Sequence, residues 1–266
     1  MMNTLFVAWQ QPDSREWIPV AKLERREGVY RFAYTQGVFR AKEFQAFSGM
    51  HQLDAEFESS SLFPLFSNRL ISKSRPEFRD YLRWLSLSDM VEDPMAILAL
   101  TGGIRGTDSI ELFQPPSVDA DGIYCVDFFA RSLSHLPKAA VERVSEMVRG
   151  ERLFLMEDCQ NDFDPLALTL RTDTPAYLVG YCPKYYAQDL GALLRTSGGN
   201  LEVRVKSVNL DAPLNMRLLC TVRAKVPEGF TALGTSNDFQ PIQEEVPPEW
   251  QRLSTVWDQA PFLVGR

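Results

Sequence analysis

The stretch from Glu157 to Leu190, EDCQNDFDPLALTLRTDTPAYLVGYCPKYYAQDL, constrains the chain more than any other. An apolar run, Leu153–Met156, feeds an acidic loop holding Asp158, Asn161, Asp162 and Asp164, which Pro165 ends. A second run, Leu166–Leu170, passes through a proline-containing turn to Tyr177–Tyr181, and Pro183 opens a helix. Strand, polar turn, strand, turn, strand and helix in that order make a compact unit with one concave edge.

The same stretch resembles the HIRAN domain. That family's signature is an acidic N-x-[aromatic]-D-x-x-A loop followed by G-[aromatic]-x-P-[basic] before a helix. Asn161, Phe163, Asp164, Ala167, Gly180, Tyr181, Pro183 and Lys184 stand at the matching places. The resemblance implies a domain that binds DNA, including single-stranded 3′ ends.

Composition limits how such binding is achieved. With 266 residues, 45% hydrophobic and 11% aromatic, the chain suits one large domain or two ordinary ones with real cores. Its net charge of -7 argues against broad, non-specific duplex binding through a basic face. DNA contact is therefore expected from a local pocket. One stretch, Lys184–Lys225, is locally basic, and the tail from Glu228 reverses this with Glu244, Glu245, Glu249 and Asp258. The four cysteines lack a C-x-x-C pattern and there are only two histidines, so no metal site is expected. No apolar run approaches the ~20 residues of a membrane span, and the N-terminus does not read as a secretion signal. A reduced, soluble, cytoplasmic protein without cofactor is the expectation.

The proline-rich segment Gln114–Asp121 reads as a linker between two halves. Before it, Leu5–Trp9, Trp17–Leu23 and Val29–Tyr34 read as strands, the last two as a hairpin around the ERREG turn. Alternation places Tyr30, Phe32 and Tyr34 on one face. After an irregular segment, Leu62–Leu70, Pro76–Leu87 and Pro94–Leu100 read as helices, and Ser109–Phe113 as a closing strand. This half resembles the small N-terminal subdomain of HipA-type serine/threonine kinase toxins. The matching residues are Phe63–Leu70 (FPLFSNRL), Asp93–Leu98 (DPMAIL) and Gly102–Phe113. The resemblance implies docking onto a kinase lobe. No kinase domain follows in the sequence: catalytic-loop H-R-D, D-F-G and P-loop patterns are absent.

In the second half, Ile123–Ala130, Leu201–Val208 and Arg217–Val226 add strands, and Pro137–Arg149 reads as a helix. Trp250, Leu253 and Trp257 carry helical spacing in the tail, which is expected to wrap onto one of the halves. The fold class is therefore α+β with two small domains: 1–115, a HipA-subdomain-like sheet with short helices, and 116–230, a HIRAN-like β-barrel with two helices. A Pro-rich acidic tail, 231–266, follows.

Seven residues are candidates for DNA contact. Phe128 and Phe129 are adjacent in a strand and so point to opposite faces; the second is displayed as a stacking platform or packed beneath another element. The resemblance places base stacking on this pair, and such stacking contributes about 1–3 kcal/mol per base. Arg131 stands nearby as a phosphate contact. Asp164, after Phe163, is able to accept a hydrogen bond from a terminal 3′-hydroxyl and to repel a 3′-phosphate; an Asx turn is its plain alternative. Tyr181 and Lys184 flank Pro183, with Lys184 in a helical first turn that favours an anion. The glycine turn Thr101–Asp108 reads as structural rather than as a phosphate cradle. With two isolated histidines, no nucleophilic triad is supportable, and the acidic loop lacks a lysine partner for a metal-dependent nuclease. The expected function is a non-catalytic adaptor that binds single-stranded 3′ ends with a shallow salt dependence. Its first half would dock a partner such as a HipA-type kinase in a bacterial toxin–antitoxin or defence module. A pure protein-interaction module and, less favoured, a nuclease are the alternatives.

Overall fold

The computed structural model describes residues 3–87, 93–196, 200–234 and 236–242. Their fold is α+β, with two antiparallel sheets. The first sheet has the order β4-β3-β2-β1-β5, with β1 Thr4–Gln10, β2 Trp17–Arg26, β3 Val29–Tyr34, β4 Glu56–Ser59 and β5 Ile110–Phe113. The β2–β3 hairpin turns through Glu27 and Gly28, both at positive φ (52° and 84°), the twist that a two-residue hairpin loop requires. Phe32 and Tyr34 are buried edge to face at 5.0 Å, on the side expected from alternation. Three helices connect β4 to β5: α1 Pro64–Ser67, α2 Phe78–Trp84 and α3 Pro94–Thr101. Asp93 caps α3 by accepting from the Met95 amide at 3.0 Å and pairs with Arg25 of β2 at 2.8 Å. The glycine turn after α3 is filled by the buried Arg69, whose guanidinium donates to the Gly103 carbonyl (2.8 Å) and pairs with Asp108 (2.5 Å). It is a structural turn.

The second sheet has the order β10-β9-β8-β11-β12-β7-β6. Its strands are β6 Ser117–Val118, β7 Ile123–Phe129, β8 Arg152–Glu157, β9 Leu168–Arg171, β10 Leu178–Tyr181, β11 Leu201–Val208 and β12 Leu218–Lys225. A backbone bridge between Arg131, just past β7, and Tyr181, at the end of β10, curls the sheet towards a barrel. Two helices accompany it, α4 Lys138–Ser145 and α5 Lys184–Thr196, and α5 buries Tyr186, Leu190 and Leu193 in the barrel core.

The expected linker is corrected in part: Ser117–Val118 forms the edge strand β6, paired with β7. The helix expected over Leu62–Leu70 is a single turn, because the chain after Ser67 bends so that Arg69 enters the glycine turn. The tail does wrap, as far as it is described: Phe239 packs edge-on against Phe6 at 5.0 Å, and the Ile242 amide donates to the Tyr34 carbonyl at 3.1 Å. Trp250, Leu253 and Trp257 lie outside the described residues.

β1 and β5 join the two halves. In β1, Leu5 and Val7 face the core of the first half, while Phe6 and Ala8 face the barrel core. In β5, Ile110 and Leu112 face the first core, and Phe113 belongs to the second. The first sheet is thus covered on both faces, with helices on one side and the barrel on the other.

Candidate nucleic-acid interface

A cleft of about 490 Å³ opens where the end of β7, the acidic loop and the start of α5 meet. Gly180 makes the meeting possible. The Arg131 amide donates to the Tyr181 carbonyl at 2.9 Å, and the Tyr181 amide returns a bond to the Arg131 carbonyl at 3.0 Å. At φ +144°, Gly180 lies so close that a Cβ would stand 2.8 Å from the Ala130 methyl carbon. That approach brings Arg131 and Tyr181 to one cleft beside Phe163, Asp164 and Lys184. Five of the seven candidate residues therefore line a single cavity.

The acidic loop is locked by its own side chains. Asn161 Oδ1 accepts from the amides of Phe163 (3.1 Å) and Asp164 (3.0 Å), and its Nδ2 donates to Asp158 Oδ2 (3.0 Å). The Tyr181 hydroxyl donates to the same Asp158 oxygen at 3.0 Å. The hydrogen bonds from Asn161 and Tyr181 hold the Asp158 carboxyl below the usual aspartate range. Asp158 and Asn161 are spent on the loop itself. Phe163, by contrast, is 81% exposed, so its ring face is open to a stacking ligand. Asp164 divides its two oxygens: Oδ1 accepts from the Leu166 amide at 3.0 Å, the Asx turn, and Oδ2 faces Lys184 Nζ across 3.9 Å. The turn role and a recognition role are therefore compatible. α5 begins at Lys184, and the partial positive charge of its first turn adds to that of the ammonium.

Arg131 is held from the first half. Its Nη2 pairs with Glu111 Oε1 of β5; the Tyr185 hydroxyl donates to the same carboxylate at 3.1 Å and lies 3.2 Å from Arg131 Nη2. The Tyr185 ring stacks on Phe113, also of β5, at 4.0 Å between centroids and 12° between planes. Burial pushes the Glu111 carboxyl up, and the Arg131 charge pulls it back. The guanidinium, expected to be free for phosphate, is neutralised.

Phe128 and Phe129 are corrected as a stacking platform, because both are buried. They do point to opposite faces, but each face is covered. Phe128 packs in the barrel core near Tyr186, and Phe129 packs with Phe78 and Leu82 of α2, and with Met216. The ordinary packing alternative holds for both.

Trp17, Glu111, Ser132 and His135 line the cleft without having been singled out from the sequence, and Tyr185 completes the group. Glu111 left one readable trace: a carboxylate within the apolar strand Ile-Glu-Leu-Phe is expected to be paired when buried. Trp17 left none. A second cleft of about 440 Å³ adjoins the first across Trp17, Phe163, Asp164 and Lys184, and it is lined by Glu16, Asp189 and Asp238 beside Arg40. Among the described residues, no group of three or more His, Cys, Asp or Glu side chains is placed to hold a metal ion. No described helix is long and apolar enough to cross a membrane.

Comparison with known proteins bears on the second half. Residues 123–227 match the model of the HIRAN domain family. Among solved structures, a protein from Lactobacillus plantarum is 17% identical, with a TM-score of 0.31, over 39% of this chain and 97% of its own. The HIRAN domain of human HLTF is 15% identical, with a TM-score of 0.30, over 40% of this chain and 81% of its own. No curated protein matches the chain.

Proposed function

We propose that the protein is a non-catalytic, DNA-binding adaptor whose second domain, residues 116–230, grips the 3′ end of a single strand. The observation that carries this reading is the convergence of Arg131, Phe163, Asp164, Tyr181 and Lys184 on one cleft within a HIRAN-family match. In it, a terminal base stacks on the exposed Phe163 ring, Lys184 takes the adjoining phosphate, and Asp164 Oδ2 accepts a hydrogen bond from the 3′-hydroxyl. In the adjoining cleft Arg40 pairs with both Glu16 and Asp238 and leaves one excess carboxylate charge between them, which weakly opposes further phosphates and favours an end over a passing strand. Residues 1–115 form the other domain. They dock a protein partner, a HipA-type kinase by resemblance, in a bacterial toxin–antitoxin or defence setting. Four unpaired cysteines, two of them buried, fit a reducing compartment, the cytoplasm.

A protein-docking module without DNA binding is the second reading. It is favoured by the burial of Phe128 and Phe129 and by the pairing of Arg131 with Glu111. Fluorescence anisotropy at low salt separates the two, using short single strands ending in a 3′-hydroxyl or a 3′-phosphate. Asp164→Asn is the informative variant, because an amide oxygen still accepts from the Leu166 amide while the charge is gone. The adaptor reading expects wild type to prefer the hydroxyl end and the variant to lose that preference. No binding to either end at tens of micromolar protein leaves the docking module.

A further inference from the structure

The barrel sheet has a second surface that the cleft does not use. Along β8, β12 and β11 as far as its bulge the residues alternate: Leu153, Leu155, Val203, Val205, Val222 and Ala224 point into the barrel core. The intervening positions point outward and are mostly cationic. Cross-strand register sets them side by side: Arg204 lies opposite both Arg152 and Thr221, Arg171 of β9 opposite Phe154, and Arg223 opposite Glu202. Lys206, beside a bulge in β11, reaches Asp127 at 2.6 Å on the same face, and Lys225 closes the row at the end of β12.

The outward face thus carries Arg152, Arg171, Arg204, Lys206, Arg223 and Lys225 against Glu202 and Asp127. Among the described residues only Arg204 and Lys206 of these cations form close ion pairs, at 3.1 and 2.6 Å, while Arg152 shares the Glu202 charge at longer range. The guanidinium carbons of Arg152 and Arg171 lie 4.9 and 5.3 Å from the Phe154 ring centroid, one aromatic between two cations. In a chain of net charge -7, like charges opposite one another in a sheet are destabilising. A face that gathers them calls for a polyanion to offset the repulsion. It also gathers much of the basic sequence between Lys184 and Lys225, which the end-binding cleft leaves unused apart from Lys184 itself.

We propose that this outward sheet face is a sequence-independent binding surface for the phosphodiester backbone of single-stranded nucleic acid, separate from the 3′-end cleft. The occupant is a polyanion because the excess is of point charges and guanidinium forks, which suit phosphate. The surface makes the salt dependence steeper than the cleft alone provides. With each neutralised phosphate adding about 0.7 to the slope for single strands, the four cations outside the two close ion pairs contribute about 3.

Circular single-stranded DNA isolates this surface, since it has no 3′ end, and the preference of a hexamer for a 3′-hydroxyl over a 3′-phosphate end reports the cleft. The variant is Arg152→Glu with Arg223→Glu, both at exposed positions. Wild type is expected to bind the circle with a log–log salt slope of about -3, and the variant to bind it at least tenfold more weakly with a slope shallower by about 1.4 or more. The hexamer's preference for a 3′-hydroxyl over a 3′-phosphate end is expected to stay unchanged in the variant. No binding of wild type to the circle, or unchanged binding by the variant, overturns the proposal whatever the hexamer shows. Absence of any preference for the hydroxyl end in the hexamer while the circle binds sinks the end-binding reading and leaves this one standing. Circle binding that appears only after removal of residues 243–266 assigns the face to the acidic tail and likewise overturns it.

Discussion

At the residue scale, the end-binding reading gives the Glu111–Arg131 pair the choice of what the cleft accepts. A phosphate approaching Arg131 meets a guanidinium whose charge Glu111 already neutralises, while Asp164 adds a further negative charge nearby. A neutral hydroxyl meets no such penalty. Replacing Glu111 with Gln keeps the shape and much of the hydrogen bonding but releases the Arg131 charge into the cleft. The preference for a 3′-hydroxyl over a 3′-phosphate end should then fall by about tenfold, a shift of roughly 1.4 kcal/mol, in anisotropy titrations; an unchanged ratio refutes the role. Asp158 supplies a pH handle of opposite kind. Its folded pKa is depressed below 3.8 by the bonds from Asn161 and Tyr181, so its contribution to the loop is present above the ordinary aspartate pKa. It is lost as pH falls through the depressed value. A carboxyl-detected NMR titration should find the Asp158 midpoint below 3.8 and the loop loosening with it, and in Tyr181→Phe the midpoint should move back up. The loop residues were legible in sequence because Asx turns and the G-[aromatic]-x-P string are local features. Glu111 and Trp17 were not, because their proximity to Arg131 arises only when β5 and β2 of one half pack against the other.

At the element scale, Gly180 shows how a local conformation sets a long-range contact. The end of β10 reaches Arg131 only because nothing protrudes from residue 180 towards Ala130 and Leu133. Gly180→Ala puts a Cβ 2.8 Å from the Ala130 methyl and holds an L-residue at φ +144°. We expect about 2–3 kcal/mol of destabilisation, combining strain with displacement of packed neighbours. Thermal unfolding measures it, and amide exchange at Arg131 and Tyr181 should quicken first. A Tm within a degree of wild type would mean that the bridge shifts at no cost. Most strands of both sheets were readable from alternation and turn residues because each buries one face or, as in β1, β2 and β5, both. What escaped was short or set by tertiary packing. β6 is too brief to show a period. β4, Glu-Phe-Glu-Ser at a sheet edge, has little apolar pattern to read. The burial of Phe129 depends on α2, which meets β7 only in the folded chain.

At the scale of the whole molecule, the two halves are not free beads on a linker. Phe6, Ala8 and Phe113 from the first sheet sit in the same core as Tyr186, Leu190 and Val222 of the barrel, and Phe239 of the tail packs edge-on against Phe6 and Phe113. Phe113 is fully buried and bridges the most: its ring stacks on Tyr185 and packs edge-on against Tyr186. Phe113→Ala should therefore destabilise by about 3–5 kcal/mol, as large-to-small changes at closed aromatic sites do. If the shared core couples the halves, the loss must appear in both sheets together. One cooperative transition, lowered by about 10 °C or more, should be seen equally by amide exchange in β3 and in β12. Because the substitution also frees Tyr185 from its stack, the hold on Arg131 should weaken and end-binding affinity should fall even where the protein remains folded. Two separated transitions, with only the barrel shifted, would instead mean that the first half folds alone and that β5 is merely laid against the barrel. In that case docking of the proposed partner on residues 1–115 has no structural route to the proposed DNA cleft, whereas a single transition makes β5, which carries both Phe113 and Glu111, the element through which such a partner would alter DNA binding.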